Sequence, residues 1–171
     1  KEYSMPSIIE VSKKTNGLHV FSGGEVHIKL GIENTMGVAI NGGEFIIKCL
    51  DYTMNGFMQV ALINDILRRR GAKRVELFYP YFPYARQDRV TSKEEPFSLK
   101  VVADLVNSLK FDKVTVVDAH SDAVCAAVNN CENIPQYFHA QRALRKYLDD
   151  ERVLFCAPDA GAYKKLTQLM P

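Results

Sequence analysis

Residues 73–89 read Lys-Arg-Val-Glu-Leu-Phe-Tyr-Pro-Tyr-Phe-Pro-Tyr-Ala-Arg-Gln-Asp-Arg. Lys73 to Tyr79 is a strand candidate, and Pro80 to Arg89 is a loop that packs stackable rings, two guanidinium groups and a carboxylate directly after it. On the N-terminal side, Glu44 to Leu50 is another strand, and Phe57, Val60, Ala61, Asn64 and Leu67 then recur at helical spacing up to Gly71. On the C-terminal side, Pro96 fits the first turn of a helix whose Leu99, Val102, Ala103, Val106 and Leu109 share one face. Lys113 to Val117 reads as a third strand, Ala123 to Val128 as a short helix, and Ala140 to Leu148 as a further helix. Arg152 to Ala157 is a fourth strand candidate, followed by the turn Pro158-Asp159-Ala160-Gly161 and a helix start. This alternation predicts an α/β domain built on a parallel sheet. The first forty residues differ, with His19 to Phe21 and Val26 to Leu30 extended around Ser22-Gly23-Gly24 as a hairpin or flap.

In open parallel sheets, ligands bind beyond the carboxyl ends of the strands. Three polar clusters fall at such ends: Arg86-Gln87-Asp88-Arg89, Asp118-Ala119-His120-Ser121-Asp122 and Asp159-Ala160-Gly161. Parallel strands would gather them into one site with two arginines, a histidine and several carboxylates, a mixture that suits a metal-bound polyphosphate. Aromatic and guanidinium planes can sandwich a base, and arginine's fixed fork of donors matches phosphate oxygens. Each cluster also has an ordinary structural reading. The Pro80 loop can simply carry solvated charges, Asp118 and His120 can cap a helix and satisfy a loop carbonyl, and Pro-Asp-Ala-Gly is good turn chemistry. Neither a G-x-x-x-x-G-K-[ST] loop nor a G-x-G-x-x-G fingerprint occurs.

The bulk properties narrow the classes. With 47% hydrophobic and 25% charged residues in 171, the chain has the make-up of a globular domain with a real core. A net charge of +2 leaves no broad footprint for nucleic acid or an acidic membrane, so anion binding must be local. Arg68-Arg69-Arg70 reads as solvated cations at a helix C-terminus. No stretch approaches the roughly 18 apolar residues of a membrane helix, and Lys1-Glu2-Tyr3-Ser4 has no signal-peptide character, so a cytoplasmic location is expected. Cys49, Cys125, Cys131 and Cys156 form no C-x-x-C pair and read as reduced, mainly core residues. The four histidines form no zinc-type grouping.

Pro80 to Arg89, Glu95-Pro96-Phe97-Ser98-Leu99-Lys100, Thr115-Val116-Val117-Asp118-Ala119-His120 and Ala157-Pro158-Asp159-Ala160-Gly161 together resemble the ribose-phosphate diphosphokinases, in order and in spacing. The resemblance runs from about Phe21 to the end and implies a phosphoribosyltransferase-like parallel sheet with an N-terminal hairpin flap. It also implies transfer of a diphosphoryl group from Mg-ATP to the 1-hydroxyl of ribose 5-phosphate, in nucleotide biosynthesis. By resemblance, Arg86, Gln87, Asp88 and Arg89 bind ATP, with Phe21 and Glu25 reaching the adenine from a neighbouring subunit's flap. His120 and Asp159 help hold magnesium, and Asp159, Ala160, Gly161, Ala162 and Tyr163 form the diphosphate-binding loop. Dimers within hexamers are implied as the assembly, with no nucleic-acid or membrane partner.

The chain departs from the family pattern in four places. Gly23 stands where the flap usually has asparagine, Thr91 where an acidic residue is typical, and Ala123 to Asn133 replaces the Gln-Gly-Phe-Phe run after His120. The family's mobile basic catalytic loop and acidic ribose-phosphate loop have no counterpart before Pro171, so no catalytic residue is assigned within the chain. The expected organisation is an ATP-binding domain over 1–149 and the beginning of a second, truncated domain over 150–171, an incomplete part of the enzyme that is inactive alone. The alternative of a different class is a non-catalytic regulatory or nucleotide-sensing subunit of the same fold.

Overall fold

The computed structural model describes residues 5–168. It divides into two compact units, Lys1–Ile134 and Pro135–Pro171. The first holds a five-stranded sheet of β1 (Ser7–Val11), β4 (Glu44–Cys49), β5 (Arg74–Tyr79), β6 (Lys113–Val117) and β7 (Cys131–Ile134), in that spatial order and parallel at every pairing. A small antiparallel hairpin, β2 (Leu18–Val20) and β3 (Val26–Ile28), and a 3-10 turn at Ile32–Thr35 lie between β1 and β4. Helices α1 (Met54–Arg69), α2 (Ser98–Ser108) and α3 (Ala123–Ala127) connect the later strands. The second unit contains α4 (Tyr137–Leu148) and α5 (Ala160–Thr167).

Register aligns the apolar residues of successive strands on one face. Ile9 pairs with Ile47, Ile47 with Leu77, and Leu77 with Val114, while Phe45 pairs with Val75 and Tyr79 with Val116. All are buried against Phe57, Val60, Ile63 and Leu67 of α1 and Leu99, Val102, Ala103 and Val106 of α2. Strands that follow one another in space, with the right-handed crossovers usual for parallel pairs, place their connecting helices on the same side. The opposite face carries half-buried Ile46, Lys48, Glu76 and exposed Glu10, with Lys48 paired to Glu10 at 3.1 Å.

The three strands expected in the first unit, their connecting helices and the hairpin are all present, with no end moved by more than three residues and Lys113–Val117 unchanged. Pro96 lies before α2, not in its first turn, because Phe97 is the cap and Ser98 the first helical residue. α4 begins at Tyr137, three residues ahead of the expected Ala140. Residues 152–157 form no strand: they run as irregular backbone, since no strand among the described residues pairs with them and an isolated strand leaves its backbone groups unpaired. Conversely, Cys-Glu-Asn-Ile, a segment of low strand propensity, becomes β7 because the edge of β6 pairs with it from Val114–Cys131 to Val117–Ile134.

The reading of all four cysteines as reduced core residues is corrected. Cys125 at α3 and Cys131 at the start of β7 are joined in a disulfide, their Cα atoms 5.1 Å apart. The chain reverses between them through Asn130, which takes the left-handed conformation that asparagine tolerates (φ 53°). Cys49 is fully buried, whereas Cys156 is exposed.

Candidate functional site

The polar loop is built on a buried frame. Tyr79 ends β5 inside the core, and its ring meets Phe82 edge to face at 5.7 Å. Phe82 and Ala85 are both 2% exposed, so they pin the loop from beneath. Between them Tyr84 adopts a left-handed conformation (φ 59°), and the Gln87 amide donates to its carbonyl at 3.0 Å. The Gln87 carbonyl in turn accepts from the Leu99 amide at the start of α2 at 3.2 Å. The backbone is held from both ends, and Arg86 and Gln87 are exposed on it.

Arg86, Gln87, Asp88, Arg89, Thr91, Glu95, Pro96 and His120 line an open cleft of about 410 Å³. His120 reaches it from the loop after β6, which is tied to the neighbouring strand: the Asp118 amide donates to the Ile134 carbonyl at 2.9 Å, and the Ala119 amide to Asn133 Oδ1 at 3.0 Å. Two strand-end loops far apart in sequence therefore share one cleft, as their position on a parallel sheet requires. Asp88 is sheltered and doubly engaged. Ser121 Oγ donates to its Oδ2 at 2.7 Å, and Arg89 Nε donates to its Oδ1 at 3.2 Å. The Ser121 hydrogen bond, with the Arg89 contact beside it, holds the Asp88 carboxyl below the usual carboxylate range. Arg86 makes no hydrogen bond or ion pair among the described residues, which leaves its fork open to a ligand.

Phe21 and Glu25 do not line this cleft; they sit at the hairpin turn, where the Phe21 amide donates to the Glu25 carbonyl at 2.9 Å. Phe21 is 50% exposed and stacks edge to face with His19 at 4.6 Å, so the hairpin presents a small aromatic surface. In the second unit Asp159 caps α5, its Oδ1 accepting from the Ala162 amide at 2.8 Å. Ala160, Gly161 and Tyr163 are exposed in that first turn, with Ala162 half-buried. Sequence reasoning assigned no binding role to Ser121, Glu95 or Pro96. Ser121 stood inside the quoted Asp118-to-Asp122 cluster, but only the fold shows its hydroxyl facing Asp88. Thr91 donates a hydrogen bond to Glu95, so an acidic group does stand in the cleft, four residues beyond Thr91.

A parallel α/β domain with cationic side chains gathered in a cleft at its strand ends defines a class of anion-binding folds. A family model for the N-terminal domain of ribose phosphate pyrophosphokinase matches residues 7–109, and the chain belongs to this family. Ribose-phosphate pyrophosphokinases from Corynebacterium efficiens and Pasteurella multocida are similar at 29% and 34% identity, over 84% and 82% of this chain. The chain spans 43% and 44% of their lengths, less than half of either relative. The crystal structure of phosphoribosylpyrophosphate synthetase from Mycobacterium smegmatis superposes with a TM-score of 0.75 at 22% identity, over 89% of this chain and 50% of that one, a likeness of fold.

Proposed function

We propose that the cleft between the loops after β5 and β6 binds the phosphates of Mg-ATP. The chain then supplies the ATP-binding part of an enzyme that transfers a diphosphoryl group to the 1-hydroxyl of ribose 5-phosphate, releasing AMP and phosphoribosyl diphosphate. The observation that carries this reading is the shared cleft itself, in which Arg86, Gln87, Arg89 and His120 converge on backbone fixed from below by Phe82 and Ala85. Phosphoryl transfer relies on positioning and charge neutralisation more than on a covalent intermediate, and this donor set supplies both. Arg86 offers a bidentate fork, Gln87 a neutral amide, and Arg89 a cation already oriented by Asp88.

Magnesium fits this set only as an ion carried on the triphosphate. Among the described residues no three His, Cys, Asp or Glu side chains are grouped to form a cage, whereas Mg²⁺ commonly takes one or two protein ligands and completes its shell with phosphates and water. His120, which lines the cleft, is the residue there that would contribute such a contact, and the bound ion would neutralise charge on the transferred phosphates. The aromatic tip of the hairpin, with Phe21 half-exposed, suits stacking on a base held by a second copy of the chain, which makes a homo-oligomer part of the reading. No helix among the described residues is long and apolar enough to cross a membrane.

The test is AMP formation by the full-length protein that carries this sequence. Activity should require both ribose 5-phosphate and magnesium, and Arg86→Ala or His120→Ala should lower it about 100-fold or more. Undiminished activity in either variant contradicts the site.

A further inference from the structure

We propose that Ser121 is a positioning residue: its hydroxyl fastens the loop after β6 to the loop after β5 and, through Asp88, sets where Arg89 presents its charge in the cleft. The inference rests on the nucleotide reading of that cleft. Ser121 itself is half-buried and not among the lining residues. Its Oγ lies 2.7 Å from Asp88 Oδ2, and Asp88 Oδ1 lies 3.2 Å from Arg89 Nε. Both carboxylate oxygens are thus used, one anchored to the adjoining loop and the other holding a guanidinium.

Exposure shows which end of this chain of contacts is the working end. The Asp88 side chain is 10% exposed and that of Arg89 77%, so a sheltered carboxylate carries an arginine that faces solvent. Because the bond to Asp88 uses Nε, the Nη pair is directed away from it, and that pair is what grips phosphate oxygens in a fork. Removing the Ser121 hydroxyl would act twice in the same direction. Arg89 would lose the fixed origin of its side chain, and an Asp88 carboxylate freed to rotate would put an uncompensated negative charge beside the phosphates. Hydrogen bonds to charged groups are strong enough for this to be read as a change in affinity.

The experiment compares the unmodified chain with Ser121→Ala, Ser121→Thr, Asp88→Ala and the Ser121→Ala/Asp88→Ala double variant, using Mg-ATP in calorimetric titration and the Arg89 Nε–H resonance in ligand-free protein. Ser121→Ala is expected to weaken Mg-ATP about ten-fold and to broaden the Arg89 resonance into exchange with water, while Ser121→Thr recovers both. On the Asp88→Ala background, Ser121→Ala should change affinity no further, an outcome that a merely structural serine would not produce. An unchanged Arg89 resonance in Ser121→Ala, or an unchanged affinity despite its loss, overturns the positioning role while leaving the nucleotide reading standing. If the unmodified chain takes up no Mg-ATP, the nucleotide reading falls and the positioning role falls with it.

Discussion

Arg68 Nη2 lies 2.8 Å from Asp112 Oδ2, joining the C-terminal end of α1 to the residue that enters β6. The same carboxylate oxygen accepts from the Val75 amide at 2.7 Å, and Arg68 also donates to the Lys110 carbonyl at 3.0 Å. Arg68 is therefore a tertiary tie, whereas its neighbour Arg69 makes an exposed pair with Asp65 one turn earlier.

Burial works to raise the Asp112 carboxyl, but the Val75 amide and the Arg68 guanidinium together outweigh it and hold it below the usual range. A depressed carboxyl contributes stability that is present above its unfolded pKa of about 3.9 and is lost as pH falls through the folded value. Asp112→Asn should therefore cost about 1 kcal/mol at neutral pH, a modest figure because solvent screens a pair this exposed. The deficit relative to the parent should shrink below about pH 4. Urea unfolding at pH 7 and pH 3 measures both.

The start of α1 tolerates little. A Cβ on Gly56 would stand 1.8 Å from the Asp51 carbonyl oxygen, inside backbone that cannot swing away. Gly56→Ala should cost more than about 3 kcal/mol or abolish soluble expression. Thr53→Ala removes only the cap, whose hydroxyl oxygen accepts from the Gly56 amide and whose hydroxyl proton is donated to Asp51 Oδ1 at 2.6 Å, and should cost about 1 kcal/mol. Thermal unfolding ranks the two.

Thiol chemistry distinguishes the four cysteines. Cys156 is exposed and should react at once with a thiol reagent, while burial pushes the Cys49 thiol up to about 11 and keeps it inert in the native state. Quantitative labelling should find one reactive thiol in the native protein, two after unfolding, and all four only after reduction. Four thiols in unfolded, unreduced protein would contradict the Cys125–Cys131 bond.

Phe21→Ala should leave the melting temperature close to that of the parent, since the ring is 50% exposed at a hairpin tip. If the ring stacks on the base, the same substitution should weaken Mg-ATP by about 1–3 kcal/mol in the assembled oligomer, the usual worth of a base on an aromatic ring. Affinity without dependence on Phe21 would remove the flap from the site.

Much of this was legible in the sequence because the signals were local. Apolar spacing marked α1 and α2, and the switch from Leu77-Phe78-Tyr79 to Arg86-Gln87-Asp88-Arg89 marked a strand end carrying chemistry. What escaped depends on partners distant in the chain. β7 has weak propensity and exists through its pairing with β6, residues 152–157 have strand-like sequence but no strand among the described residues to pair with, and Cys125 meets Cys131 where the chain reverses at Asn130. For the site, composition pointed to the arginines and His120. The Ser121 to Asp88 hydrogen bond spans 33 residues, and no spacing rule announces it.

In the proposed function, the cleft takes up the phosphates of a nucleotide through Arg86. The most direct measurement is calorimetric titration of the chain with Mg-ATP, beside Arg86→Ala and the distant exposed-cation control Lys73→Ala. Binding that Arg86→Ala weakens at least ten-fold and Lys73→Ala leaves unchanged is the predicted result. Equal affinity in the parent and Arg86→Ala would contradict it.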